Sequence, residues 1–358
     1  MPILHRRDFL TTAAALTAAT AGSVTGTLGA AENDKARTAF FLVGDTHYLA
    51  DRDRPTQLQT TSQEVCGRLV EVLNRLPGES IPAEFGGGEV DQPKGVIHAG
   101  DVIDSGDKGG TLHAQMQRTE WSAFEADYGL KGGDGRLKWP VYEVHGNHDS
   151  PRGDGYAVEQ IKARNKQRPG LTNISENGLH YSWDWGGVHF VNLGIVVGQA
   201  TNPNRRRRYA PLDSLPFLIA DLKEHVAERP RPVVLTHHID VARYSTGCEP
   251  QAEPGSKEWD SCDVQGYYAA LKRYPIAAIL YGHTHVRNVF RWNGQPGSKS
   301  PEGIPVFNND NSSHFHDRKQ ALLYFEIDDK ELVAREYSTQ DAWQSGQWTA
   351  NWRMPLVG

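Results

Sequence analysis

Ala39-Phe40-Phe41-Leu42-Val43-Gly44-Asp45-Thr46-His47 carries the pattern that decides the fold. Five consecutive apolar residues, too short for a helix, read as a buried strand over 39–43. The strand runs directly into Gly44-Asp45, and an imidazole follows one residue later. The pattern recurs. Residues 95–99 run into Gly100-Asp101, and 141–144 into Gly146-Asn147-His148-Asp149. Residues 233–236 run into His237-His238, and 276–280 lead to Gly282-His283-Thr284-His285. Each cluster of polar, chemistry-bearing residues lies just past the C-terminal end of a buried strand. In open α/β sheets that is where ligands bind.

Between these strands the periodicity changes from 2 to 3.6. Val65, Leu69, Val72, Leu73 and Leu76 share one helical face over 62–76, and Pro77-Gly78 stops the helix. Residues 111–128, 215–226 and 267–274 read as further helices. A hairpin is expected where 180–185 and 188–193 meet across Gly186-Gly187. Strands return at 306–308, 322–327 and 332–337. Alternating strands and helices define an α/β chain. Long polar insertions fall at 48–60, 78–93, 198–211 and 244–263, where loops often form a binding rim.

The chain has 358 residues, 38% hydrophobic and 23% charged, an ordinary composition for a protein with a sizeable core. A net charge of −6 argues against general affinity for nucleic acid or anionic membranes. Residues 1–31 read as an address. Arg6-Arg7 precede Asp8-Phe9-Leu10, then a mildly apolar run rich in Ala and Thr, then Gly29-Ala30-Ala31. This is the form of a twin-arginine signal peptide, which implies the Tat export machinery as partner and a periplasmic or secreted location. The run is too poor in large apolar side chains for a transmembrane segment of the mature protein. A polar linker over 32–37 precedes a single domain expected over 38–358. None of the three cysteines shows CxxC spacing. Cys248 and Cys262 bracket a polar stretch and are placed to close a loop disulfide in an oxidising compartment. Cys66 falls in a helical pattern and reads as a small core residue.

Carboxylate, amide oxygen and imidazole together suit first-row divalent ions. Asp45-x-His47 and His283-x-His285 each place two such groups at alternate positions of an extended loop. Taken singly, each cluster is equally at home as a capping or turn element. Five in order on strand ends are not.

In this combination the sequence resembles the calcineurin-like metallophosphoesterase superfamily. The matching motifs are Asp45-Thr46-His47, Gly100-Asp101-Val102-Ile103-Asp104, Gly146-Asn147-His148-Asp149, His237 and Gly282-His283-Thr284-His285, over roughly residues 39–340. The resemblance implies a four-layer α/β sandwich of two mixed β-sheets flanked by helices. It implies two metal ions, Mn, Fe, Zn or a mixed pair. One is held by Asp45, His47, Asp101 and His285, the other by Asp101, Asn147, His237 and His283, with Asp101 bridging. His237 is chosen over His238 as the first residue after its strand, leaving His238 to brace a ligand or face substrate. The implied activity is hydrolysis of a phosphorylated substrate, a mono- or diester, by in-line attack of a metal-bridging hydroxide. His148 is the implied acid for the leaving group, Asp149 its orienting partner, and Asp104 a brace on a metal ligand.

Two departures narrow the resemblance. Purple acid phosphatases carry a metal-binding tyrosine where this chain has Asp104. Ser/Thr protein phosphatases follow Gly-Asp-x-x-Asp with Arg-Gly, whereas Ser105-Gly106 stands here. A different reading, a metal-binding envelope protein on the same fold without turnover, is weakened by the presence of every expected ligand. Elsewhere, Arg205 to Arg208 read as a solvated loop rather than a funnel for an anionic substrate, His314 and His316 as loop hydrogen-bonding groups rather than cleft lining, and Trp183 and Trp185 as core. His98 and His145 are expected to pack against or orient the metal loops.

Overall fold

The structure, a computed structural model, describes residues 37–199, 207–243, 258–295 and 300–356. The expected export segment, most of the linker, Arg205, Arg206 and Cys248 lie outside the described residues. The fold is that of the unit Lys35–Gly358. No described helix is long and apolar enough to cross a membrane.

The first sheet is built on β1 (Thr38–Val43), β2 (Val96–His98) and β3 (Val141–Glu143), which run parallel. It is extended antiparallel by β11 (Gln320–Ile327), β12 (Glu331–Thr339) and β13 (Gln347–Pro355), in the order β13-β12-β11-β1-β2-β3. The second sheet has seven strands. β6 (Val188–Asn192), β7 (Val233–Thr236), β8 (Ile276–Tyr281) and β10 (Ile304–Asn308) are its parallel centre. β4 (Leu171–Ile174) and β5 (Tyr181–Trp185) flank one side and β9 (Asn288–Trp292) the other, all antiparallel.

Side-chain alternation along β1 explains the layering. Phe41 and Val43 enter a core with Val65 and Leu69 of α1 (Thr60–Arg75), Phe124 of α2 (Thr111–Asp127) and Ile161 of α3 (Tyr156–Gln167). Phe40 and Leu42 point the other way, into the space between the sheets. There Phe40 stacks on Phe325 at 4.9 Å and meets the edge of Phe190 at 5.3 Å. Leu218 and Leu222 of α4 (Ser214–His225) and Tyr267 of α5 (Ser261–Leu271) cover the outer face of the second sheet. The result is the expected four-layer sandwich, and both faces of each central strand are buried. Trp183 and Trp185 are core residues as expected, and Cys66 is free and buried. The Gly186-Gly187 hairpin forms, with Trp185 opposite Val188.

Four elements carry no clear sequence signal. α3 buries Arg164 and Asn165 among its few apolar residues, so its face reads as polar. β4, β9 and β13 are edge or outer strands, half-exposed along much of their length. α5 begins six residues earlier than the expected 267, because Asp260 caps it by accepting the Cys262 and Asp263 amides.

His189 on β6 offers a test of this packing. Its ring nitrogens lie 2.7 Å from Asp184 Oδ1 and 2.8 Å from Asp221 Oδ2. Burial opposes a charge there, yet the two carboxylates prevail and raise its pKa above the usual value. The imidazolium therefore stabilises the fold fully below about pH 6.5, and that contribution is lost as pH rises through the folded pKa. His189→Gln should lower the melting temperature near pH 6 and narrow its deficit toward pH 9. Parallel melting curves for wild type and variant across that range would refute the assignment.

Candidate metal centre

The strand ends of both sheets converge on one cluster. β1 delivers Asp45 and His47, β2 delivers Asp101, and β3 delivers Asn147 and His148. From the second sheet, β7 delivers His238, and β8 delivers His283 and His285. Five of these residues have positive φ: Asp45 (53°), His47 (45°), Asp101 (51°), His283 (75°) and His285 (49°). Non-glycine residues in this region cost roughly 1–3 kcal/mol each and concentrate at functional sites. Here the left-handed turns aim carboxylates and imidazoles into the crevice where each strand stops. Gly100 must lack a side chain, since a Cβ would meet His238 Nδ1 at 2.6 Å.

Asp101 is at the centre. Its Oδ2 lies 3.2 Å from His238 Nε2 and 3.6 Å from His47 Nε2. Its Oδ1 accepts the His148 backbone N–H at 2.7 Å. On one side, His47 Nε2 and His285 Nε2 face each other at 3.2 Å, and His285 Nε2 is 3.5 Å from Asp45 Oδ1. On the other, His238 Nε2 lies 3.2 Å from Asn147 Oδ1. Asp101, His238 and His283 form one compact donor group, and Asp45, His47 and His285 another.

The hydrogen-bond partners decide which ring nitrogens carry protons. Ala99 C=O accepts at 2.7 Å from His238 Nδ1, so the Nε2 lone pair of the neutral ring is aimed at a carboxylate and an amide oxygen. Asp104 lies 3.2 Å from His47 Nδ1, leaving Nε2 as the donor in the same way. Lone pairs of several groups converging on one point repel one another unless a cation is present, so these residues fit a metal centre. A proton on His238 Nε2 meets the same need for positive charge. Burial opposes the His238 imidazolium, yet the Asp101 charge lifts its pKa to about 9. Burial also opposes the Asp45 carboxylate, but His285 brings it down to about 2. The site favours positive charge beside fixed negative charge.

Two expectations are corrected. The histidine that reaches Asp101 and Asn147 is His238, not His237. His237 is fully buried with both ring nitrogens unpartnered, its ring 5.1 Å from Trp259 and 5.7 Å from Tyr267. Asp149 does not orient His148. Its carboxylate accepts the backbone N–H groups of Val102, Ile103 and Gly146 at 3.1, 3.0 and 2.8 Å, bracing two ligand loops. The group beside the His148 ring is Asp104, whose C=O lies 3.2 Å from Nδ1. His314 makes the expected loop hydrogen bonds, its N–H donating to Asn311 Oδ1 at 3.0 Å, and its ring also packs 4.7 Å from His47 and 4.8 Å from His285. Asp104 does brace His47, and Lys108 Nζ holds its other oxygen at 2.6 Å. His98 orients the first loop: its Nε2 donates to Thr46 Oγ1 at 3.0 Å while Thr46 donates to Val102 C=O at 3.1 Å. His145 packs without a partner.

The exchange of His237 for His238 has a simple origin. Val233 and Leu235 face the helices, and Val234 faces the other sheet. Continuing that alternation puts His237 with the helices and His238 toward the first sheet. With Val233, Val234 and Leu235 all apolar, the sequence does not reveal which face is which.

The calcineurin-like phosphoesterase family model matches residues 38–287. Among curated proteins none matches the chain. Among solved structures, a dimetal phosphatase from Danio rerio is similar in fold, with a TM-score of 0.53 and 12% identity, covering 89% of this chain and 99% of the other. GAP50, the anchor in the inner membrane complex of Plasmodium, has a TM-score of 0.50 and 12% identity, covering 90% of each chain. At such identity these likenesses show the fold.

Proposed function

Because the chain belongs to the calcineurin-like phosphoesterase family, we propose that it hydrolyses phosphate mono- or diesters at a centre for two cations that share Asp101. The observation that carries this reading is the aim of the His238 Nε2 lone pair at Asp101 Oδ2 and Asn147 Oδ1, beside the facing nitrogens of His47 and His285. One cation would be held by Asp45, His47, Asp101 and His285, the other by Asp101, Asn147, His238 and His283. Mn, Fe and Zn all suit this mixture of oxygen and nitrogen donors. Bound there, such ions supply an activated water near neutral pH and neutralise charge on a phosphoryl group. The related fold of a protein described as a dimetal phosphatase supports the same reading. The twin arginines Arg6-Arg7 support export, and so a substrate met outside the cytoplasm.

The chain's own contribution to catalysis centres on His148. Its side chain is one-third exposed at the mouth of the cluster, its ring 4.7 Å from that of His47. The carbonyl of Asp104 holds the proton on Nδ1, so the doubly protonated ring can hand its Nε2 proton to a leaving alkoxide and is left neutral. The buried carboxylate of Asp149 fixes the backbone around it. Aryl phosphate mono- and diesters are the direct assay. The metal-loaded protein should hydrolyse at least one class, lose activity to a chelator, and regain it with added Mn²⁺. His148→Ala should lower kcat about 10²–10⁴-fold with metal content unchanged. A fully loaded protein inert toward both ester classes would overturn the proposal.

A further inference from the structure

His283 is held from two sides. Its backbone N–H donates to Asp45, at 2.8 Å from Oδ1 and 3.0 Å from Oδ2. Its ring Nε2 lies 2.9 Å from Oε1 of Glu258, a buried carboxylate that arrives from the long insertion 244–263. We infer that Glu258 is a positioning residue: by accepting the Nε2–H of His283 it leaves Nδ1 as the lone-pair donor that this ring contributes beside Asp101, Asn147 and His238. The inference rests on the two-cation reading above and extends it to a residue outside the family's motifs.

The placement of Glu258 is built rather than incidental. The backbone N–H groups of Glu258 and Trp259 both donate to Arg243 C=O, at 2.9 and 2.7 Å. Trp259 is buried against His237 and stacks on Tyr267, with ring centroids 5.9 Å apart. Asp260 then caps α5. Glu258 is thus fixed between an anchored backbone and a buried indole. Its second oxygen is held by Arg243 Nη1 at 3.1 Å, and Tyr209 donates its hydroxyl to Oε1 at 3.4 Å. Three of the four imidazoles proposed as ligands are braced alike. His47 is held by Asp104, His238 by the Ala99 carbonyl and His283 by Glu258, each through one ring nitrogen. Partners of this kind fix ring orientation and tautomer, and losing one costs about 10–100-fold in metal affinity. It also gives His237 a place: its ring is the floor on which Trp259 rests.

The test is a calorimetric titration of the chelator-treated full chain with Co²⁺, comparing wild type, Glu258→Ala and Glu258→Gln. Wild type should take two equivalents. Glu258→Ala should bind one equivalent normally and the other about 10–100-fold more weakly. Glu258→Gln, which keeps an acceptor oxygen but no charge, should fall between the two. A second equivalent bound with wild-type affinity by the variants would overturn the role of Glu258, as would equal weakening of both equivalents. Should Glu258→Ala fail to fold, Glu258→Gln decides by the same criterion. If wild type itself takes fewer than two equivalents, the two-cation reading fails instead.

Discussion

Asp101→Asn is expected to lower kcat/KM for ester hydrolysis by about 10³-fold or more and to loosen both cations together. Cations at such a site supply several kcal/mol of charge stabilisation, and each 1.36 kcal/mol is tenfold in rate. Asp101 is the residue whose carboxylate lies near both halves of the cluster, 3.6 Å from His47 and 3.2 Å from His238. The neighbouring imidazoles hold its pKa well below the usual carboxylate range despite burial, so it presents a full negative charge. Asparagine keeps the shape and tolerates the left-handed backbone at φ 51°, so the change removes charge without remodelling the turn. Metal content after dialysis should fall for both sites, whereas Glu258→Ala should affect one. A variant that retains two ions and near-native turnover would show that Asp101 is not shared.

The second large effect concerns stability. Arg168→Ala should destabilise the fold by about 3–5 kcal/mol. Glu143, at the end of β3, is fully buried between two guanidinium groups: Arg164 Nε at 2.7 Å and Arg168 Nη2 at 2.9 Å. Arg168 also donates to Val141 C=O and lies over the rings of Tyr142 and Tyr181. Removing Arg168 costs more than a hydrogen bond because it withdraws one of the two guanidinium charges that compensate a carboxylate water cannot reach, and leaves Oε2 without its partner. A fall in melting temperature on the order of 10 °C follows for a domain of this size. The same network has an acid limb. Burial would raise the Glu143 pKa, but Arg164 and Arg168 bring it down to about 2. Its contribution is therefore present above the unfolded value of about 4.5 and is lost as pH falls through about 2. Because β3 leads straight into Gly146-Asn147-His148, the weakened variant should also show reduced metal occupancy. A melting temperature unchanged from wild type would contradict the account of this network.

Most of the candidate centre was legible in the sequence because carboxylates, an amide and imidazoles stand out where apolar strands end. Asp45, His47, Asp101, Asn147, His283 and His285 all stand at the cluster, each where a short apolar strand ends. The strands were legible because those buried on both faces are almost purely apolar. That same uniformity hid the alternation that separates His237 from His238. Groups that brace the ligands were harder to read. Asp149 serves backbone amides, which no side-chain pattern encodes. Glu258 and His314 lie far in sequence from the residues they meet, and only the tertiary fold brings them together. α3 was missed because its buried face includes Arg164, whose partner Glu143 belongs to another element. Its burial depends on pairing, not on hydrophobicity.

The most direct test of the shared-cation claim is a crystal grown with Mn²⁺ and measured for anomalous scattering. Two peaks about 3.5–4 Å apart are expected, with Asp101 between them and His238 rather than His237 at bonding distance. A single peak away from Asp101, or a peak bound by His237, would contradict it.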